Sequence, residues 1–220
     1  MTMSSSYPFH PDDFPVKEGV VLKPTKTYCL KGAIHFKTTA KIIDLTGHLR
    51  QPFNDFSHAF LDEAAQAASK LEGKPVFEIS SCGNMMRTIK TMTAAPSGDK
   101  VCDLNITFVS FGSSTVRFPK DSSHSRHEIE LCPVGDSGLT EKKHEAFVKN
   151  SIPYFWDMTG GTVGVLYKCL NQKRVEIARV AGYGFAKDAV LVLNGDELDD
   201  VVALATAIIL LNGRDAMDTD

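Results

Sequence analysis

Between Asp200 and Asn212 the chain reads Val-Val-Ala-Leu-Ala-Thr-Ala-Ile-Ile-Leu-Leu, with Thr206 the only polar side chain in the run. The flanks are those of a helix. Asp196 can act as N-cap by accepting from a free first-turn amide, and Glu197, Asp199 and Asp200 suit the positive end of the helix dipole. Asn212 and Gly213 supply a left-handed stop, with Arg214 just beyond it at the negative end. The Thr206 hydroxyl can return a hydrogen bond to the Val202 carbonyl, so it does not oppose burial. A helix apolar on every side must be surrounded by protein or by lipid. A membrane span needs roughly 20 apolar residues, and this run is shorter and has carboxylates at both ends. Protein is therefore the expected surrounding: a core helix wrapped by the rest of the chain.

The rest of the chain has to supply the wrapping, and its texture is that of short strands. Val20-Val21-Leu22, Tyr28-Cys29-Leu30, Ala33-Ile34-His35-Phe36 and Lys41-Ile42-Ile43-Asp44-Leu45 are bounded by Pro24, Gly32 and Gly47. Strands are further predicted at Pro75 to Ile79, Met85 to Met92 and Val101 to Phe111. More follow at His127 to Cys132, Pro153 to Asp157, Thr162 to Leu170, Arg174 to Val180 and Ala189 to Leu193. Residues 112–126 read as a polar turn region, and Gly135 to His144 as a polar loop. Within residues 55–72, Phe60, Leu61, Ala64, Ala65, Ala68 and Leu71 recur at helical spacing, with Gly73 to close the helix. Thr46-Gly47, Glu72-Gly73, Ser97-Gly98 and Asn171-Gln172 punctuate the runs as hairpin turns would. Many strands and one helix without a polar face have a natural solution, an antiparallel sheet closed around the helix so that no strand edge is left open. The expected class is mainly β, with one further short helix. Residues 1–16, rich in Ser, Pro and Asp, read as a loose arm, and 17–220 as a single domain with no linker or charge block inside it.

Composition narrows the functions. A net charge of −3 argues against a general nucleic-acid binder. The five cysteines (29, 82, 102, 132, 169) are widely spaced, odd in number and form no C-x-x-C pair. They read as reduced thiols of a cytosolic or nuclear protein, neither a disulfide framework nor a zinc site. The N-terminal residues show neither a basic nor an apolar leader region, and no lipidation signal stands out. The expected location is cytoplasmic, with a peripheral-membrane or nuclear placement as alternatives, and no transmembrane span.

The segment Lys173-Arg174-Val175-Glu176-Ile177-Ala178-Arg179-Val180, then Gly184-Phe185-Ala186-Lys187-Asp188-Ala189-Val190-Leu191-Val192-Leu193, then the apolar helix, resembles the end of the tubby C-terminal-like superfamily. It is nearest the LURP-one-related branch, where a basic strand, a Lys-Asp turn, an apolar strand and a buried terminal helix follow one another. The strand–turn–strand units at Ile42 to Phe53 and Leu71 to Ile79 fit the same pattern. The tubby signature motifs are not present, and the helix at 55–72 would be an insertion. The resemblance implies an antiparallel barrel around a central helix. The superfamily includes phosphoinositide-binding tubby proteins, phospholipid scramblases and defence-linked plant proteins, so the fold leaves the function open.

Several motifs have plain readings. Gly135-Asp136-Ser137-Gly138 echoes the nucleophile segment of chymotrypsin-like proteases, but no matching histidine segment lies upstream, and a surface turn is expected. His124 and His127 lack further donors at ligand spacing and read as a solvated pair. Asn105-Ile106-Thr107 matches a glycosylation pattern inside a predicted strand and is expected to be unmodified. Gly160-Gly161-Thr162-Val163-Gly164 lacks the lysine of a phosphate-cradling loop and reads as a turn.

Basic residues remain as candidates for an anion or phosphoinositide site. Arg87 and Lys90 flank Ile89 in one strand, and Lys142-Lys143-His144 lies on a loop. Lys173, Arg174, Arg179 and Lys187 gather near the C-terminal hairpin in sequence. Strand period puts Arg179 on the face of Val175 and Ile177, either salt-bridged there or aimed at an anion. Tubby-type sites use basic residues on and near strands before the terminal hairpin, which makes Arg87 and Lys90 the first choice. Regular strand geometry sends those two side chains to opposite faces, so a bulge or strand end is required. The expected function is a non-catalytic binding module for phosphoinositide headgroups or a protein partner, with no cofactor and no metal. The rival readings are a scramblase-like, lipid-handling membrane-associated protein and an enzyme of unrecognised type.

Overall fold

The computed structural model describes residues 13–32, 39–84, 87–107, 113–134, 144–158, 163–182 and 188–215. Twelve antiparallel strands close into a barrel. They are β1 (Lys26–Lys31), β2 (Thr39–Asp44), β3 (Phe77–Asn84), β4 (Arg87–Ala94), β5 (Lys100–Thr107), β6 (Ser114–Arg117), β7 (Ile129–Val134), β8 (His144–Lys149), β9 (Ile152–Asp157), β10 (Val163–Leu170), β11 (Lys173–Gly182) and β12 (Ala189–Leu193). Each strand pairs with its neighbours in sequence, and β1 closes the ring on β12, from Lys26 opposite Leu193 to Leu30 opposite Ala189. Two helices accompany the barrel among the described residues: α1 (His58–Lys70) between β2 and β3, and α2 (Asp200–Asp215) after β12.

Local chemistry explains the tight reversals. Asn150 and Ser151, and likewise Asn171 and Gln172, all have positive φ, between 52° and 62°. Two consecutive left-handed residues match the right-handed twist of a two-residue hairpin, and Asn tolerates that conformation well. Ser97-Gly98 also turns a hairpin, from β4 to β5. The glycines at 47 and 73 do not: they stand on either side of α1, whose residues the sequence assigned to a helix. Ser57 caps α1 by accepting from the Phe60 amide at 3.3 Å.

Two strands are more than the polar texture predicted. Residues 114–117 form β6 within the stretch read as turn-like, and His144–Lys149 form β8 where a loop was expected to end. Conversely, Val20-Val21-Leu22 is not a strand, although Leu22 is buried. The stretch Ala33 to Phe36 lies outside the described residues.

The strands carry apolar side chains on both faces. Residues from all twelve strands join α2 in one continuous core cluster. On the opposite face of β1, β2 and β12, Cys29, Ile43, Leu45, Val190 and Val192 pack under Phe60, Ala64 and Ala68 of α1. Phe53, Phe56 and Phe60 close that layer with edge-to-face contacts at 5.0 to 6.0 Å. A third cluster lies on β8, β9 and β10, where Ala146, Phe155 and Cys169 pack with Phe14 from the N-terminal segment. The end of the arm is thus held to the barrel: Val16 bridges Arg174 of β11.

Every side chain of α2 from Val201 to Leu210 is buried, none more than 5% exposed. Its cap differs from the one expected. Asp199, not Asp196, accepts from the Val201 and Val202 amides at 3.0 and 3.2 Å. The helix also runs past Asn212 and Gly213 to Asp215, and Asn212 donates its side-chain amide to the Ile208 carbonyl at 2.7 Å. Thr206 donates to the Val202 carbonyl at 2.9 Å, as expected, and accepts from the Trp156 indole at 3.1 Å. Gly164 of β10 leaves room for Leu210 of α2: a Cβ there would stand 3.0 Å from Leu210 Cδ2 and 2.7 Å from Met158 Sδ.

Ile208 is fully buried in the main cluster. An aspartate there would leave a charge unpaired in apolar surroundings, at a cost of several kcal/mol. Ile208→Asp is expected to abolish the cooperative thermal transition or to drive the chain into the insoluble fraction. A variant that melts as the parent does would contradict the burial of α2.

Candidate functional site

The candidate cations have separate surroundings. Lys90 shares a strand face with Met92 and stands opposite Leu104, both members of the main core, and it is only 1% exposed. It cannot reach a headgroup from there. Burial holds its ammonium well below the usual lysine range, at about 8. Arg87, two positions before the exposed Ile89, pairs through its backbone with Asn84 and Thr107, at the start of β4. Its side chain lies outside the described residues, as do the whole of Lys142, Lys143 and Lys187.

Lys173 is exposed at the β10–β11 turn. Arg174, next to it, lays its guanidinium over the Tyr167 ring at 5.0 Å and the Phe155 ring at 5.5 Å. Arg179 does not share the face of Val175 and Ile177. The pairing of β10 with β11 slips by one residue between Leu166 and Tyr167, so that Ile177 and Ala178 both enter the core. This bulge turns Arg179 to the other face, where it makes a forked pair with Glu176. That hydrogen bonding to Glu176 raises the already high pKa of the guanidinium.

The described C-terminal cations Lys173, Arg174 and Arg179 therefore have separate surroundings. Lys173 begins β11, whereas Gly182 and Asp188, which bracket the stretch containing Lys187, stand at its other end. A ten-residue strand separates the two ends by about 30 Å.

The polar grouping that the sequence did not disclose surrounds the start of α2. His124 contacts Asp199 through Nδ1 at 3.0 Å and is half-buried, while His127 is exposed. Lys149 donates to the His124 carbonyl at 2.8 Å, and burial lowers its pKa. Tyr28 donates its hydroxyl to Asp200 at 2.5 Å, and Lys168 donates to Glu197 at 2.8 Å. Burial, and next the bond to Asp200, raise the Tyr28 pKa far above the ordinary phenol range. Of the carboxylates that the sequence placed at the helix start, Glu197, Asp199 and Asp200 each have a partner from another element. The set is an anchor for α2. No spacing rule could have assembled it, because the partners come from β1, β10 and the β6–β7 connection.

Burial pushes the thiols of Cys29, Cys102 and Cys169 up to about 12 and that of Cys132 to about 11, which removes them as nucleophiles at neutral pH. Among the described residues no three His, Cys, Asp or Glu side chains are grouped to hold a metal ion. The Gly135–Gly138 segment with Ser137, and Gly160 to Thr162, lie outside the described residues. Asn105 and Thr107 of the sequon belong to β5, inside the barrel wall. No described helix is long and apolar enough to cross a membrane.

The lowered pKa of Lys90 has a stability consequence with a definite sign. The folded chain releases this proton near pH 8, whereas an unfolded lysine holds it to about 10.4. The unfolded state binds more protons in that window, so this group makes stability rise with pH from about 8 to 10.4, by an amount on the order of a few kcal/mol. Lys90→Met is expected to flatten the rise in denaturant-measured stability relative to the parent. An unchanged slope would mean that Lys90 keeps an ordinary pKa.

No protein-family model, no curated protein and no solved structure matches the chain.

Proposed function

We propose that the chain is a non-catalytic, tubby-like binding module whose barrel encloses α2 and whose more basic end meets membranes carrying phosphoinositides. The enclosure rests on a topological argument. Strands on opposite sides of a closed ring share only the lumen, and the main core cluster joins α2 to residues from all twelve strands. A filled lumen leaves the outer surface and the two ends for recognition.

One observation carries the choice of end. In an up-and-down barrel, alternate connections leave from the same end. The strand ends bracketing residues 33–38, 85–86, 108–112, 135–143, 159–162 and 183–187 all belong to the end opposite the start of α2. Those stretches contain Lys37, Lys142, Lys143 and Lys187, together with Phe36, Phe108, Phe111, Tyr183 and Phe185. Their acidic residues are only Asp136 and Glu141. At the other end, the connection from β12 to α2 alone contributes Asp196, Glu197 and Asp199. Connections whose sequence combines Lys with aromatic residues suit an interface of anionic headgroups and lipid, where each Lys or Arg near the surface contributes about 1 kcal/mol. Arg87 begins β4 at this end and stays in the reading; Lys90, Arg174 and Arg179 leave it, and Lys173 belongs to the opposite end.

Cosedimentation tests the reading. At low salt, liposomes with multiply phosphorylated phosphoinositides are expected to pellet the chain, neutral liposomes are not, and salt near 0.5 M should release it. Lys142→Glu combined with Lys143→Glu and Lys187→Glu should cut recovery at least fivefold, while Lys173→Glu should change little. Recovery equal to that on neutral liposomes would remove the membrane reading. Loss of binding with Lys173→Glu alone would move the site to the other end.

A further inference from the structure

β11 outreaches its neighbour. Pairing with β12 begins only at Ala178 opposite Leu193, and the Asn194 amide makes a last bond to the Ile177 carbonyl at 2.8 Å. Before that point no named strand among the described residues lies on the β12 side of β11. The N-terminal segment comes in there: the Arg174 amide donates to the Pro15 carbonyl at 3.0 Å, and the Lys17 amide donates to the Arg174 carbonyl at 2.9 Å. Phe14 drops into the third cluster, against Ala146, Phe155 and Cys169. Val16 itself stays 50% exposed.

The segment suits this role. Pro15 lacks an amide proton, so it leaves no donor unsatisfied, and it biases Phe14 toward an extended backbone. The groove is equally prepared. The Arg174 guanidinium lies over Tyr167 and Phe155 and lengthens the apolar wall beside the seat of Phe14. This is strand addition in small form: main-chain bonds hold an extended peptide and a side-chain pocket selects it.

We propose that the stretch of β11 before Ala178, with the Phe155–Cys169 pocket, is a docking groove for an extended partner segment of aromatic–Pro–aliphatic sequence, which residues 13–17 occupy in cis. The occupancy is competitive. The segment is part of the same chain, so tethering supplies effective concentration that keeps it in place. A partner gains access when it displaces Phe14.

The test uses the full chain and a fluorescein-labelled peptide with the sequence of residues 11–19. The Phe14→Asp chain, its groove vacated, is expected to bind the peptide saturably and at least tenfold more tightly than the parent. A peptide with aspartate in place of phenylalanine should not bind. A folded Phe14→Asp chain that does not bind the peptide, or equal binding of the two peptides, would overturn the proposal. Should Phe14→Asp fail to fold, trypsin digestion of the parent decides. Excess peptide should speed cleavage after Lys17, and cleavage there indifferent to peptide would refute displacement. Concentration-dependent dimers of the parent that Phe14→Asp dissolves would assign the groove to a second copy instead of a partner. The liposome result is independent of all these outcomes.

Discussion

A helix without a polar face persists in water only if protein covers all of it, and the proposed enclosure of α2 by the barrel would meet that need. From Val201 to Leu210 no side chain finds solvent on any side. A flat sheet could hide only one flank of such a helix. A sheet closed on itself hides every flank and also removes its own edges. Antiparallel neighbours can then be joined by tight turns, as the consecutive left-handed residues at Asn150-Ser151 and Asn171-Gln172 do for β8–β9 and β10–β11. The strands must also be apolar toward the helix and small where it comes closest, as Gly164 is beside Leu210.

Covering a helix leaves its free amides to be satisfied, and the chain meets that need at the helix start. Asp199 accepts from two of the amides while His124 holds its other oxygen. Asp200 and Glu197 are held by Tyr28 and Lys168. These contacts tie β1, β10 and the β6–β7 connection to one helix end, so they anchor the start of α2. Inside the core the only buried hydroxyl of the helix, on Thr206, is satisfied twice, by its own Val202 carbonyl and by Trp156. The outer faces follow a second rule: what β12 and β1 leave apolar is covered by α1, and what β9 and β10 leave apolar is covered by Phe14 and Arg174.

Much of this was legible in the residues. The all-round apolarity of 201–211 implied burial, the acidic cluster implied a helix start, and the spacing of Phe60, Ala64 and Ala68 located α1. The misses have particular causes. β6 and β8 were hidden because Ser114 and Glu145 are buried polar residues, which break the apolar alternation that marks a strand. Arg179 fell on the wrong face because the bulge at Ile177 shifts the period by one, and a bulge leaves no mark in residue type. Lys90 did share the period of Met92, yet lysine reads as a surface residue unless that period is trusted over composition. The candidate site was least legible of all. Closeness along the sequence set Lys173 beside Lys187, but a long strand holds the two stretches apart.

The enclosure of α2 is the claim on which the remaining account stands, and amide hydrogen exchange followed residue by residue tests it most directly. If the barrel surrounds the helix, the amides from Ala205 to Leu211 can reach solvent only when the barrel opens. They should then exchange with the free energy of global unfolding, as slowly as the slowest amides of β10 and β11. Exchange of the α2 amides at markedly lower free energy, while the strand amides stay protected, would show a helix that leaves its site without unfolding the barrel and would contradict the account.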